Sequence, residues 1–403
     1  MNENKKLPVV LVIGPFNEDW YQLCQDCKDK FQIEQANFED IGISSYSDYP
    51  IVCISPPREI KYEFQKKNRV IKPSLIVVRS CVRYVGRKCG ETPDFRNVLY
   101  GFIHGNIPMI NSFESLLFEL ERPIIFGILK GIQEKIGEKN FPLIPQTYYS
   151  DSSEMITSPD VPFVIKYSYP HAGYGKIRIR DNHDFPDIRS IVAIDNHYCA
   201  AEPLIDSEYE LRIVFIAPDY YRAHKRSSFN WKVNFGSPNI RENVEMNQTY
   251  KMWVDEVRKA IPGMDCFAID AIVDKEGNHF ILEVNGSSQG FVPEQQEECL
   301  EQLKKLVISK VDDIVNKKKD TVDNKPCFDD DLTIKNLNLS NEIRDLMIQN
   351  KDQKLMIDSL KKKLVMCSSQ KSLFKFRFEW LLLFIFASII AIAFIYFGRT
   401  NPK

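Results

Sequence analysis

The chain has 403 residues, of which 44% are hydrophobic and 27% are charged, and its formal net charge at pH 7 is −2. This length provides for about two or three domains with a sizeable core, and so balanced a charge shows no footprint of a nucleic-acid-binding protein. The ten cysteines follow no disulfide or zinc pattern, so we interpret them, including the CxxC pair Cys24 and Cys27, as reduced thiols of a cytosolic protein.

The first segment, residues 8–106, alternates predicted strands with predicted helices. Its apolar run at residues 9–13 is short and meets Gly14 and Pro15, which is typical of a buried strand rather than a signal peptide. The further candidate strands are residues 33–35, 51–54 and 75–79, and the candidate helices are residues 17–30 and 94–104. Such alternation predicts a mostly parallel sheet with helices packed on it.

A basic cluster follows the fourth candidate strand and consists of Arg79, Arg83, Arg87 and Lys88. Because ligands of open α/β sheets bind beyond the carboxyl ends of strands, this cluster is a candidate site for an anionic ligand. A solvated surface loop is the alternative interpretation.

The pattern changes from residue 107 onward. A helix with an Asn or Ser cap is predicted to start at residues 111–114, and a second helix is predicted at residues 123–137. Lys166 lies in the apolar strand predicted at residues 162–167, and Lys176 follows a loop of small residues before another strand at 177–179. Both lysines are well placed to contact phosphates, although the Gly-x-Gly-Lys sequence does not have P-loop spacing.

The last part of this region ends in a predicted hairpin at residues 265–288. Before it come an apolar connection at residues 201–205, a strand at 210–216 and a helix at 249–261. Glu283 and Asn285 are two residues apart and therefore share one face of a strand, and Asp270 on the partner strand can face the same way. Two carboxylates and an amide suit Mg²⁺. The alternative is a surface hairpin with solvated acidic residues.

The ordered series of these features resembles the ATP-grasp fold and, more closely, the synapsin family. The resemblance covers about residues 8–315 and is carried by Asn-Ser-Phe-Glu-Ser at 111–115, Phe-Pro-Leu-Ile at 141–144, Gln-Thr-Tyr-Tyr at 146–149, Gly-Tyr-Gly-Lys at 173–176, Ala-Glu-Pro-Leu-Ile-Asp at 201–206, Asn-Trp-Lys at 230–232, Tyr-Lys-Met-Trp-Val-Asp at 250–255 and Leu-Val-Ile-Ser-Lys at 306–310. It implies an α/β (α+β ATP-grasp) class, with a Rossmann-like pre-ATP-grasp domain at residues 1–106 and a two-subdomain ATP-grasp domain at residues 107–320.

The resemblance also implies the cofactors, ATP and Mg²⁺, and a role for each site residue. Phosphates would contact Lys166 and Lys176, with Arg226 and Asn234 nearby, and adenine would be held by Glu202 and the backbone around Leu204. Arg122 stands where a nucleotide-contacting lysine is expected, which keeps the charge but changes the donor geometry. Asp270, Glu283 and Asn285 would bind the metal.

The C-terminal region departs from the family. Residues 321–370 are predicted to form a linker and a short coiled coil, since Ile343, Asn350, Ile357 and Leu364 repeat every seven residues. We expect a homodimer with this coil as a stalk; one amphipathic helix lying on the core or the bilayer is the alternative. Residues 371–403 are predicted to be a tail anchor, because residues 380–397 are apolar and uncharged and basic residues precede them. The bulk of the chain would then be cytosolic.

Two functions follow from these predictions. The first is a synapsin-like Mg-ATP-binding protein on a synaptic or other secretory vesicle, or on another organelle, that regulates vesicle clustering and the secretion of neurotransmitter or other cargo. The second is a membrane-anchored carboxylate-amine ligase that acts through an acyl phosphate. In that case Arg226 would be catalytic by stabilising the transferring phosphoryl group, and the basic cluster at residues 79–88 would contact the substrate. The sequence predicts ATP binding and leaves turnover open.

Overall fold

A computed structural model describes residues 7–320, except residues 16, 47–49, 85–92, 170–172, 196, 228–230 and 232–239. The predicted coiled coil, the predicted span at residues 380–397, Asn234, Arg87 and Lys88 therefore lie outside the described residues. No helix that the structure describes combines the length and the apolar composition that a membrane span requires.

The N-terminal region contains a parallel sheet, as the alternation of strands and helices predicts. Its elements are β1 (Val9–Ile13), α1 (Trp20–Leu23), β2 (Gln32–Ala36), β3 (Ile41–Ser45), β4 (Pro50–Ile54), β5 (Arg69–Ile71), β6 (Leu75–Val78), α2 (Arg96–His104) and β7 (Met109–Ile110). The sheet has the order β2-β1-β6-β7, and every neighbouring pair is parallel. All four residues of β6 are buried, as expected of a central parallel strand.

Two predictions for this region need correction. The strand predicted at residues 51–54 lies outside the parallel sheet, because β4 pairs antiparallel with β3 and β5 in a sheet of its own. Only a few residues separate β3 from β4, which is too short for the crossover that parallel strands need. The helix predicted at residues 17–30 is shorter, with α1 followed by a 3-10 turn at Gln25–Cys27.

The middle region consists of two helices and a small antiparallel sheet. Its elements are α3 (Phe113–Glu119), α4 (Arg122–Ile136), β8 (Thr147–Tyr149), β9 (Phe163–Tyr167), β10 (Lys176–Ile179), α5 (Phe185–Asp195) and β11 (Cys199–Pro203). Ser112 caps α3 by accepting a hydrogen bond from the Ser115 amide at 3.3 Å, as predicted. The small sheet has the order β10-β9-β11-β8, so part of the predicted connection at residues 201–205 is strand.

The last region is a five-stranded antiparallel sheet with two long helices. Its elements are β12 (Ser207–Ile216), β13 (Tyr220–Ser227), β14 (Ile240–Val244), α6 (Gln248–Ala260), β15 (Cys266–Asp274), β16 (His279–Asn285) and α7 (Gln296–Asp320). The order is β14-β13-β12-β15-β16, which confirms the predicted hairpin as β15 and β16.

The two faces of this large sheet differ in chemistry. Phe267, Ile269 and Ala271 of β15 are fully buried in the main apolar core together with residues of α4, α6 and α7. Since side chains alternate along a strand, Asp270 points to the opposite face. That face forms one wall of the candidate site.

Candidate functional site

A cavity of about 570 Å³ lies between the large sheet, the small sheet and the helices α3 and α4. Residues 80–83, which follow the carboxyl end of β6, form one wall, and residues 288–293 after β16 form another. This volume is within the range of sites that bind small molecules or cofactors. Six of the predicted site residues line it: Arg122, Lys166, Arg226, Asp270, Glu283 and Asn285.

The three predicted metal ligands come together on one face of the β15–β16 hairpin. Asp270 pairs directly with Glu283, and the pairing shifts by one residue immediately after Asp270. The side-chain amide of Asn285 donates a hydrogen bond to Asp270 Oδ2 at 2.9 Å. The prediction that these side chains share a face is therefore confirmed, while their role as ligands stays a prediction.

Arginines neutralise these carboxylates in the structure. Arg212 Nη1 lies 3.1 Å from both oxygens of Asp270, and Arg226 Nη2 lies 3.6 Å from Asp270 and 2.9 Å from Glu210. Arg122 Nη1 lies 3.1 Å from Glu283 Oε2. The carboxylates are thus held in place by cations that an incoming metal ion would have to displace in part.

The chemistry of the donor set fits Mg²⁺. Two carboxylates and one amide oxygen at the wall of a cavity of cofactor size are ligands of the kind that Mg²⁺ uses with a nucleotide. Over the described part of residues 7–320, no group of three or more His, Cys, Asp or Glu side chains could hold a metal ion. The predicted set differs from such groups because its third member is Asn285.

The two predicted phosphate-contacting lysines are neighbours across the small sheet. Lys166 of β9 pairs with Lys176 of β10 in the strand register. Lys166 is buried, and its Nζ atom lies 2.7 Å from Glu202 Oε2. Burial lowers the pKa of Lys166, Glu202 opposes this effect, and the nearby charge of Lys176 adds to it. An anion beside both lysines would relieve their mutual repulsion.

The residues predicted to hold adenine lie on β11 and just after it. Glu202 is held by Lys166 and also accepts a hydrogen bond from the Gln146 side chain at 3.0 Å. The Leu204 amide donates to the Pro162 carbonyl at 3.0 Å. Glu202, Leu204 and Lys176 are not among the cavity-lining residues.

The interpretation of the basic cluster as an anion site is wrong for Arg79. Its guanidinium is buried, lies 2.6 Å from Glu18, donates to the Ser287 carbonyl and stacks at 4.3 Å over the Phe291 ring. It therefore joins the N-terminal sheet to the loop after β16, which neither the anion-site nor the solvated-loop interpretation predicted.

Arg83 lines the cavity but is also engaged. It lies 2.5 Å from Glu121 and 3.6 Å over the Tyr169 ring. Tyr198 OH donates to the other oxygen of Glu121 at 2.8 Å. These contacts connect the small sheet to the start of α4 beside Arg122.

Among the cavity residues to which sequence reasoning assigned no role are Arg212, the partner of Asp270, and Glu119, at the end of α3. Arg212 alternates with apolar residues on β12, so its face could have been read once the sheet order was known. Glu119 has no sequence signal, since it only ends a helix. Burial raises the pKa of Glu119 to about 8, although hydrogen bonding from Asn111 and from the Gly286 amide opposes this rise.

Comparison with known proteins agrees with this architecture. The sequence matches two protein-family models, "Synapsin pre-ATP-grasp domain" over residues 3–109 and "Synapsin, ATP binding domain" over residues 111–313. A Synapsin from Drosophila melanogaster is 28% identical over 316 residues, covering 76% of this chain and 30% of that protein. The chain thus spans less than a third of the length of this relative.

Solved structures show the same fold at low identity. D-alanyl-alanine synthetase A from Vibrio cholerae matches with a TM-score of 0.52 and 11% identity, over 76% of this chain and 98% of that one. The ATP-grasp ligase PsnB, solved with a phosphomimetic variant of its minimal precursor, Mg and ADP, matches with a TM-score of 0.52 and 12% identity, over 76% of this chain and 99% of that one.

Together these likenesses establish an ATP-grasp α/β fold, with the large and small sheets on either side of the cavity. The ATP binding domain alone matches about half of the 403 residues, and the pre-ATP-grasp domain accounts for most of the remainder of the described region. The chain belongs to the synapsin family.

Proposed function

We propose that this protein binds Mg-ATP in the cavity between its two sheets and acts as a synapsin-type regulator on a membrane surface. The observation that carries the proposal is the convergence of Lys166, Arg122 and the set Asp270, Glu283 and Asn285 on one cavity. Cations at one part of the wall and oxygen ligands at another are what a metal-bound polyphosphate requires.

Each group has a part in this binding. Lys166 and Lys176, with Arg122 and Arg226, offset the charge of the phosphates, and Glu202 and Leu204 hold the adenine. Asp270, Glu283 and Asn285 hold Mg²⁺, which neutralises and orients the phosphates when bound. Arg212 contacts both oxygens of Asp270 and fixes this carboxylate on the face of the sheet.

The cellular part of the proposal rests on the family and on the C-terminal sequence. The apolar run at residues 380–397 anchors the chain in a membrane with the ATP-grasp domain on the cytosolic side, and the heptad repeat pairs two copies. The protein would regulate the clustering of synaptic or other secretory vesicles, or of another organelle, and thereby secretion.

A second candidate function is a carboxylate-amine ligase, favoured by the complete Asp270, Glu283 and Asn285 set beside Arg226. A substrate carboxylate oxygen would bond to the γ-phosphorus while the bond to the β–γ bridging oxygen breaks and ADP leaves. An amine nitrogen would then bond to the acyl carbon, inorganic phosphate would leave, and the amine proton would pass to solvent. Arg226 would stabilise the charge of the transferring phosphoryl group.

The nucleotide site is tested by calorimetry on the full chain in mild detergent. We expect Mg-ATP to bind. Glu283→Gln and Lys166→Met should each raise the dissociation constant for Mg-ATP by about tenfold or more. Glu276→Gln and Lys275→Met are matched controls, because both residues are exposed in the turn of the same hairpin. The proposal fails if the wild-type chain does not bind Mg-ATP or if the site variants bind like the controls.

The two candidate functions are separated by turnover. The same protein is incubated with Mg-ATP and pools of amino acids and small carboxylic acids, and ADP is measured. Sustained ADP release that depends on a pool and is lost in Arg226→Met would favour the ligase. Binding without such release would favour the regulator.

A further inference from the structure

The carboxyl group of Glu119 differs from the other acidic groups that line the cavity. Asp270 is paired with Arg212 and Arg226, and Glu283 is paired with Arg122. Over the residues that the structure describes, no lysine, arginine or histidine forms an ion pair with Glu119. A carboxyl group of this kind lacks the cationic partner that a buried acid usually has, although hydrogen bonding from Asn111 and the Gly286 amide opposes the rise of its pKa.

The backbone holds this carboxyl group at a defined place. Glu119 is the last residue of α3, and its side chain lies against Gly286, which directly follows Asn285. A Cβ atom at Gly286 would overlap the Glu119 carboxyl, so glycine is needed there for the contact. The Oε1 atom is buried and receives no hydrogen bond from any described group. An oxygen atom in this state can still accept a hydrogen bond from a donor group of a ligand.

The surrounding wall is compact and mixed in polarity. Leu116 of α3 and Leu120, which directly follows this helix, line the cavity together with Glu119, and so does Val82 after β6. Cys81 and Ser288 lie 3.7 Å apart through their Sγ and Oγ atoms and supply weak polar groups. Such a wall fits a small ligand with an apolar body and one cationic group.

From these contacts we propose that Glu119 forms a second subsite of the cavity, which binds the protonated amino group of a small molecule next to the metal end of the nucleotide site. The inference rests on the proposed function for the identity of the neighbouring ligand. Elsewhere in the cavity the lining cations Arg122, Lys166 and Arg226 would repel an ammonium group, so Glu119 determines where the amine is placed.

The first test measures stability without any ligand. Because Gln keeps the shape of Glu and the carboxyl group has no cationic partner to lose, Glu119→Gln is expected to leave the melting temperature unchanged or to raise it. The matched control is Glu121→Gln, which loses the pairing with Arg83 and is expected to melt lower. If Glu119→Gln melts as low as Glu121→Gln, the carboxyl group is structural and the proposal is overturned.

The second test uses defined probes on the full chain with Mg-ATP present. Each proteinogenic amino acid and a series of short alkylamines are compared with their N-acetyl derivatives by thermal shift, and any ligand found is titrated by calorimetry. We expect at least one free amine to bind and its acetylated form not to bind. Glu119→Gln should raise the dissociation constant for this amine by about tenfold or more.

The outcomes separate this inference from the proposed function. It is overturned if no free amine binds, if acetylated forms bind equally well, or if affinity survives in Glu119→Gln. Mg-ATP affinity of the wild-type chain is measured in the same samples. If the wild-type chain does not bind Mg-ATP, the proposed nucleotide site is overturned. Amine binding that depends on Glu119 would still support the second subsite.

Discussion

Two buried arginines hold the carboxylate of Asp270, and this makes the residue a structural as well as a binding group. Arg212 contacts both of its oxygens at 3.1 Å, and Arg226 lies 3.6 Å away. Removing one partner of a buried pair leaves an uncompensated charge, which costs more than the pair itself contributes. Asp270 variants therefore change folding and ligand binding together.

We expect Asp270→Asn to lower the free energy of unfolding by about 3–5 kcal/mol, because Arg212 loses the charge partner that it contacts through both oxygens, although Arg226 keeps its pairing with Glu210. Urea denaturation of the ligand-free chain measures it. Asp206→Asn is the control, since Asp206 is 84% exposed and its pairing with Lys275 is at the surface. An equal, small loss in both variants would show that Asp270 is not held as described.

His224 is a second single residue for which the structure gives a prediction, in this case about how the free energy of unfolding depends on pH. Burial, together with the charges of Arg226, Arg212 and Arg241, lowers the pKa of His224 from 6.5 to about 3. The folded chain keeps this ring neutral while the unfolded chain protonates it below pH 6.5, so stability falls as pH decreases from 6.5 towards 3.

We expect His224→Gln to reduce the slope of unfolding free energy against pH in that window by up to about 1.4 kcal/mol per pH unit. Above pH 7 the slopes of the two proteins should coincide. His183→Gln is the control because that residue is exposed. Parallel slopes for wild type and His224→Gln below pH 6.5 would contradict the assignment.

At the level of elements, Asn111 joins the entry of α3 to the start of β15. Its side chain is fully buried, donates to the Cys266 carbonyl at 2.8 Å and accepts from the Cys266 amide at 2.8 Å. The amide group thus acts as a neighbouring strand would. It fixes the helix that ends in Glu119 relative to the strand that carries Asp270.

Asn111→Ala is expected to lower the free energy of unfolding by about 2–4 kcal/mol, since two buried backbone groups lose their partners. Asn140→Ala is the matched control, because the side chain of this exposed residue donates to the Ile136 carbonyl at 2.7 Å, and its loss should cost less than about 1 kcal/mol. Thermal and urea unfolding measure both. Similar losses in the two variants would mean that the α3–β15 connection depends on other contacts.

The elements differ in how well the sequence predicts them, for a physical reason. Apolar strands such as β1 and β6 and the β15–β16 hairpin have clear local patterns and were predicted. Strand β13 carries Arg222, His224 and Arg226, and β14 is mostly exposed, so neither shows the apolar alternation on which a strand prediction depends. These two strands form through pairing with β12, which is a tertiary effect.

On the scale of the whole molecule, the site combines local and distant contacts. The shared face of Glu283 and Asn285 follows from a spacing of two along one strand, so the sequence was sufficient. Arg212 is 58 residues from Asp270, and Glu119 and Gly286 come from different regions of the chain. Such pairs depend on sheet order and helix placement, which no local pattern encodes. The cavity could therefore be recognised only from the structure, whereas the hairpin could be predicted from the sequence.

The proposed tail anchor is a prediction from the sequence that can be tested apart from the nucleotide site. As a helix, residues 380–397 would be about 27 Å long at 1.5 Å per residue, close to the hydrocarbon thickness of about 30 Å. Ile389 is near its centre, where arginine costs about 2.5–3.5 kcal/mol on insertion. Deleting residues 371–403 should release the protein from membranes in carbonate extraction, and Ile389→Arg should weaken its retention. Thr400→Arg lies beyond the apolar run and should remain membrane-bound, whereas retention of the deletion variant would show that another surface makes the attachment.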